Sequence, residues 1–206
     1  MSELCCNSPR WENARDAAYR RVLWTVLGIN LAMFMIEMIA GRRTGSVSLR
    51  ADSLDFLGDS ANYGISLLVA AMTLRTRAIA ALGKGVTMGL FGIWVLASSV
   101  WKAFVGSPPE AVAMGLVGIA ALAANGLCFA LLNRFRSEDS NMRSVWLCSR
   151  NDMIANCAVL VSALGVARTG AAWPDVLVAA IMAMLALQGA VAVVRQARRE
   201  LAGAAT

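Results

Sequence analysis

The sequence predicts an all-α integral membrane protein, folded as one bundle of six transmembrane helices. Three observations predict it. Of the 206 residues, 58% are hydrophobic and only 16% are charged, whereas a soluble domain carries about a quarter charged residues. An apolar surplus of this size cannot be hidden inside a small globule, whose surface-to-volume ratio forces much of the chain outward. Six stretches also reach the length of about 20 mainly apolar residues that a hydrocarbon core of about 30 Å demands of a helix. The short alternating pattern of a membrane barrel is lacking, so the spans are expected to be helices.

The spans are expected at 22–41, 48–73, 85–105, 110–133, 145–167 and 173–194. Gly41-Arg42-Arg43-Thr44-Gly45 closes the first, Ser107-Pro108-Pro109-Glu110 separates the third from the fourth, and Pro174 opens the sixth. Three regions follow: an N-terminal segment over 1–21, the six-helix domain over 22–194 and a short tail over 195–206. The first residues are polar and of mixed charge and end in Tyr19-Arg20-Arg21, so the first span is expected to act as its own signal anchor without a secretory leader. Basic residues set the orientation. Thirteen (Arg10, Arg15, Arg20, Arg21, Arg75, Arg77, Lys84, Arg134, Arg136, Arg143, Arg195, Arg198, Arg199) fall on the side of the termini, against five (Arg42, Arg43, Arg50, Lys102, Arg168) on the other. Both termini are therefore expected in the cytoplasm.

The net charge of +6 is spread along span boundaries and forms no single patch with interleaved aromatics, which argues for membrane flanks and against nucleic acid. The five cysteines, Cys5, Cys6, Cys128, Cys148 and Cys157, have no zinc-finger spacing, and the chain has no histidine to complete one. Their odd number argues against a fully paired disulfide framework.

Acidic residues inside spans need a reason, because a charged side chain at the bilayer centre costs at least about 2.5 kcal/mol. The second span carries Asp52, Asp55 and Asp59, and the step of four puts Asp55 and Asp59 on one helical face, continued by Asn62 and Tyr63. The fifth span carries Cys148, Asp152 and Asn156 at the same step. A second helix entering near Ser48 places Asp59 about 16 Å deep, and a fifth entering from the opposite face near Val145 places Asp152 about 11 Å in. In a core of about 30 Å these levels differ by only about 3 Å, near the midplane where secondary transporters bind substrate. Carboxylates with a thiolate or amide suit four-coordinate Zn²⁺, Cd²⁺ or Co²⁺. Three carboxylates and a thiolate cannot all stay ionised so close together in a low dielectric, so a dication entering the site is expected to expel protons.

Other polar residues read as structural. Asp52 lies near the outer boundary and reads as a vestibule residue; Glu37, which shares a face with Asn30, reads equally as a snorkelling side chain, a salt-bridge partner of Arg42 or a proton carrier. Asn125 and Gln188 suit interhelical hydrogen bonds, and Cys128 and Cys157 suit packing. Asp175 reads as first-turn chemistry of the sixth helix. Trp24, Trp101, Trp146 and Trp173 read as interfacial anchors. Cys5-Cys6 is ambiguous between soft-metal capture, acylation and no role.

The stretch Leu49-Arg-Ala-Asp52-Ser-Leu-Asp55-Phe-Leu-Gly-Asp59, with Cys148-Ser-Arg-Asn-Asp152-Met-Ile-Ala-Asn156 and the Trp173-Pro-Asp-Val opening of the last span, resembles the cation diffusion facilitator family. The resemblance covers nearly the whole chain and implies a cation-efflux transmembrane bundle. It implies a secondary active metal/proton antiporter, not an enzyme, that exports cations from the cytoplasm, usually as a homodimer. It further implies a multi-pass protein of the inner (plasma) membrane with no permanent cofactor, whose partners are the metal ion, protons and the bilayer. Asp55, Asp59 and Asp152 match the family's ligands. Cys148 stands where the family usually has histidine, which leaves the fourth ligand open among Cys148, Asn156 and Asn151. The family's usual cytoplasmic metal-binding domain is not found after Arg199, so a short form is expected. Competing readings are a transport-incompetent metal sensor or assembly partner, and an intramembrane aspartyl protease, for which Gly58-Asp59 is only a motif fragment.

Overall fold

A computed structural model of the chain describes residues 17–68, 72–133 and 141–203, with backbone alone at position 74 and over 141–151. Six α-helices run in chain order: α1 Ala17–Arg43, α2 Val47–Leu68, α3 Leu74–Val105, α4 Ala111–Asn133, α5 Asn141–Thr169 and α6 Trp173–Gly203. Among the described residues there is no strand. A helix covers each of the six expected stretches, but several helices run past the apolar stretch that marked them. The largest difference is α3, which starts at Leu74 where the sequence suggested 85. Its first turn is capped by Thr73, whose hydroxyl accepts the Thr76 N–H. Gly83-Lys84-Gly85 sits inside the helix and does not break it. A Cβ at Gly85 would lie 2.8 Å from Val194 and 3.3 Å from the Ala190 carbonyl, so glycine there lets α3 and α6 approach backbone to backbone.

Five of the helices are long and apolar enough to cross a membrane. The exception is α2, which concentrates Arg50, Asp52, Asp55 and Asp59 within a few turns. Its place in the bundle explains how it is tolerated: α2 packs against α1, α3, α5 and α6, so its polar groups meet protein instead of lipid. The outward faces of its neighbours are apolar, with Leu90, Ile93, Leu116, Val161, Leu164 and Leu185 all exposed. Large exposed apolar faces on a helical bundle mark contact with lipid. The chain is a multi-pass membrane protein.

One core cluster joins Val47, Leu49 and Leu54 of α2 to Val95, Met114, Val159 and Met182. A second joins Phe56 to Met33 and Ala121. The α1–α2, α3–α4 and α5–α6 connections share the end of the bundle remote from the termini, called here the distal end. They are tied to each other there. Glu110 N–H donates to the Thr44 carbonyl at 3.1 Å, and the Lys102 ammonium donates to the Gly45 carbonyl at 2.7 Å. Gly45 has φ +72°, a left-handed conformation open to glycine, and that lets the chain reverse between α1 and α2.

Asp175 lies in the first turn of α6 as expected, but it does more. Its side chain leaves its own helix and caps α2. One oxygen accepts the Val47 N–H at 2.7 Å. The other accepts the Ser48 N–H at 3.0 Å and the Ser46 hydroxyl at 2.7 Å. The Ser46 hydroxyl oxygen in turn accepts the Leu49 N–H at 3.1 Å. The open N–H groups of the first turn of α2 are thus satisfied within the protein, where no water could serve them.

Candidate metal centre

The site is built on α2 because the four-residue step stacks Asp55 and Asp59 on one face. Both keep part of their surface accessible, while Leu54, Phe56 and Gly58 around them are buried. α5 touches α2 and carries Asp152, half-buried, and Asn156, fully buried. The Asn156 amide nitrogen donates to the Asp152 carbonyl at 3.0 Å, and its oxygen Oδ1 has no hydrogen-bond partner. A buried amide oxygen left without a donor is a ready ligand for a cation.

Two contacts fix the relative height of the acidic turns. Val47 is bonded to Asp175, and Gly165 packs against the neighbouring Pro174. At about 1.5 Å per residue, Asp59 lies about 18 Å along α2 from Val47. Along α5 from Gly165, Asn156 lies about 14 Å and Asp152 about 20 Å away. Asp59 thus falls between the levels of Asn156 and Asp152. Cys128 of α4 is a buried thiol. Cys128 also accepts a hydrogen bond from Asn30 Nδ2 at 3.5 Å, so it does more than fill space.

These residues do not form a closed cluster. Among the described residues, no three carboxylate, thiol or imidazole groups are gathered closely enough to hold a metal ion. Cys148 and Asn151 have side chains outside the described residues, as do Trp146 and Arg143, and Cys5 and Cys6 lie outside altogether.

Three features of the region escaped the sequence. Lys84 of α3 donates to Asn62 Oδ1 at 2.5 Å, one turn beyond Asp59, and its charge acts on Asp59. The signal was an ionisable residue within a span, which the flanking glycines disguised as a loop. Glu37 makes no salt bridge to Arg42. It is wholly buried at 0% exposure, with both carboxylate oxygens lacking a hydrogen-bond partner, while Arg42 lies over the Trp94 ring at 5.8 Å. Asp52 is no vestibule residue either: it is buried at 1% exposure, because α1 covers it.

Compared with known proteins, residues 23–202 match the family model of the cation efflux transmembrane domain. The chain belongs to the cation diffusion facilitator family. Among characterised members, it is 24% identical to the zinc transporter ZitB of Escherichia coli over 199 residues, covering 90% of this chain and 63% of that protein. The zinc transporter ZitB of Yersinia pseudotuberculosis is 26% identical over 203 residues, covering 91% of this chain and 64% of that protein. The metal cation efflux system protein CzcD of Cupriavidus metallidurans is 23% identical over 184 residues, 81% of this chain and 57% of that protein. The chain spans less than two thirds of the length of each of these relatives. The family match embraces all six helices, and with them both acidic turns.

Proposed function

We propose that this family member exports a divalent transition-metal cation, zinc foremost and cadmium or cobalt by the same chemistry, in exchange for protons. The cation is held between α2 and α5 by Asp55, Asp59 and Asp152, with Cys148 or the Asn156 amide oxygen completing the coordination. The observation that supports this reading is that α2 and α5 are in contact and carry their acidic residues at similar heights of a membrane bundle. The names of the relatives, zinc transporter and metal cation efflux system protein, favour a d-block cation. Oxygen ligands with one softer donor suit such an ion in a four-coordinate site.

Proton exchange follows from charge balance. Clustered carboxylates in a low dielectric repel one another strongly, and protons or a dication relieve that repulsion equally well. Binding the metal then releases protons, and a proton gradient drives the metal out. The half-exposed Asp55 and Asp59 provide the access that the exchange needs. In this reading the chain lies in the inner (plasma) membrane with both termini in the cytoplasm, and it works as a homodimer without permanent cofactor.

Flux in proteoliposomes tests the reading. Purified protein in vesicles with an imposed pH gradient should accumulate zinc against its concentration gradient. A protonophore should abolish accumulation while leaving binding intact. Zinc movement unaffected by the pH gradient would refute the coupling, and no movement of any divalent transition metal would refute transport.

A further inference from the structure

Glu37 and Asp52 are the two least explained groups in the bundle. They sit at one level of the α1–α2 contact, between Gly41 against Arg50 and Met33 against Phe56. Glu37 is 0% and Asp52 1% exposed. Both oxygens of Glu37 and Oδ2 of Asp52 have no hydrogen-bond partner. Carboxylates only accept, so neither can satisfy the other without something positive between them.

The nearby basic side chains are engaged elsewhere. Arg42 and Arg50 both lie over the Trp94 ring, at 5.8 Å and 5.6 Å. Arg50 also donates to the Ser46 carbonyl at 3.0 Å, and Lys102 donates to the Gly45 carbonyl. Two buried carboxylates cannot both stay charged inside a bilayer unless a proton or a metal cation lies between them. Their position also has meaning. Asp52 stands about one turn from Asp55 on the distal side.

We propose that Glu37 and Asp52 form a second, weaker divalent-cation subsite, one turn distal to the α2–α5 centre, through which the transported ion passes. It rests on the reading of that centre as a transport site. Two carboxylates hold the ion, fewer protein ligands than the α2–α5 centre offers, so it is bound loosely enough to leave. A transporter needs such a step because release from a tight site is otherwise slow.

Radiotracer zinc binding and proteoliposome flux test it together, on parent, Glu37→Gln, Asp52→Asn and Asp59→Asn proteins. The substitutions keep shape and remove charge, and size-exclusion profiles confirm folding. The parent should bind two ions of unequal affinity. Glu37→Gln and Asp52→Asn should lose the weaker ion alone, keep the tight one within about twofold, and transport about tenfold more slowly. Asp59→Asn should lose the tight ion and keep the weaker. A parent with a single ion, unchanged by Glu37→Gln, would overturn the subsite and show that the pair merely shares a proton. Parent-like flux in Glu37→Gln would overturn it as well. Failure of Asp59→Asn to alter tight binding would instead strike the α2–α5 centre, and a parent that binds no metal would overturn both.

Discussion

Asp175, at the start of α6, accepts the N–H of Val47, the first residue of α2, at 2.7 Å. With its bonds to Ser46 and Ser48, it pins the helix that carries Asp55 and Asp59 to the helix that packs on both α3 and α5. Charged hydrogen bonds of this kind are worth more than neutral ones, and losing the acceptor strands buried donors.

Asp175→Ala should therefore destabilise the protein by about 3 kcal/mol, read as a lower midpoint of thermal unfolding in detergent. Asp175→Asn keeps one carbonyl acceptor and should lose roughly half as much. Zinc flux should fall in step with the slippage of α2. Equal stability of parent and Asp175→Ala would mean that the cap does not hold α2.

Lys84 brings a positive charge to the termini side of the acidic turn through its 2.5 Å bond to Asn62. A fixed cation there competes with a mobile one for Asp59. Lys84→Gln should bind zinc about tenfold more tightly, a change of about 1.4 kcal/mol, and should release it more slowly. Isothermal titration of the two proteins decides it, and weaker zinc binding by the variant would contradict the competition.

The fourth ligand can be found by hardness. A thiolate favours cadmium over zinc more than an amide oxygen does. If Cys148 is a ligand, Cys148→Ser should lower the ratio of cadmium to zinc affinity by about tenfold, while Asn156→Ala should leave the ratio unchanged. If Asn156 is the ligand, the Asn156→Ala protein should lose affinity for both ions alike. Competition binding with the two metals separates these outcomes.

Gly85 lies at a close approach of α3 and α6, and a methyl group there would meet both a valine side chain and the Ala190 carbonyl. Gly85→Ala should cost about 1–3 kcal/mol despite the better helix propensity of alanine. A more stable variant would show that the two helices can separate freely.

The helices were legible because a membrane imposes a length on every apolar run. Their ends were not, since α3 and α6 continue into polar sequence that hydropathy does not mark. Asp55, Asp59 and Asp152 stood out through a spacing local to one helix. Asp175 did not, because its partners lie 127 to 129 residues away in sequence. Glu37 was misplaced for a related reason. Arg42 is near in sequence, but Trp94 of α3 takes its guanidinium. Pairings within one helix could be read from the chain, and pairings between helices needed the fold.

The central claim is that Asp59 and Asp152 share one ion, and a double-mutant cycle on zinc affinity tests it most directly. Asp59→Ala and Asp152→Ala should each weaken binding by about a hundredfold or more, and the double variant should be little worse than either alone. Losses that multiply in the double variant, or an Asp152→Ala protein that binds zinc as the parent does, would mean that the two carboxylates serve no common ion.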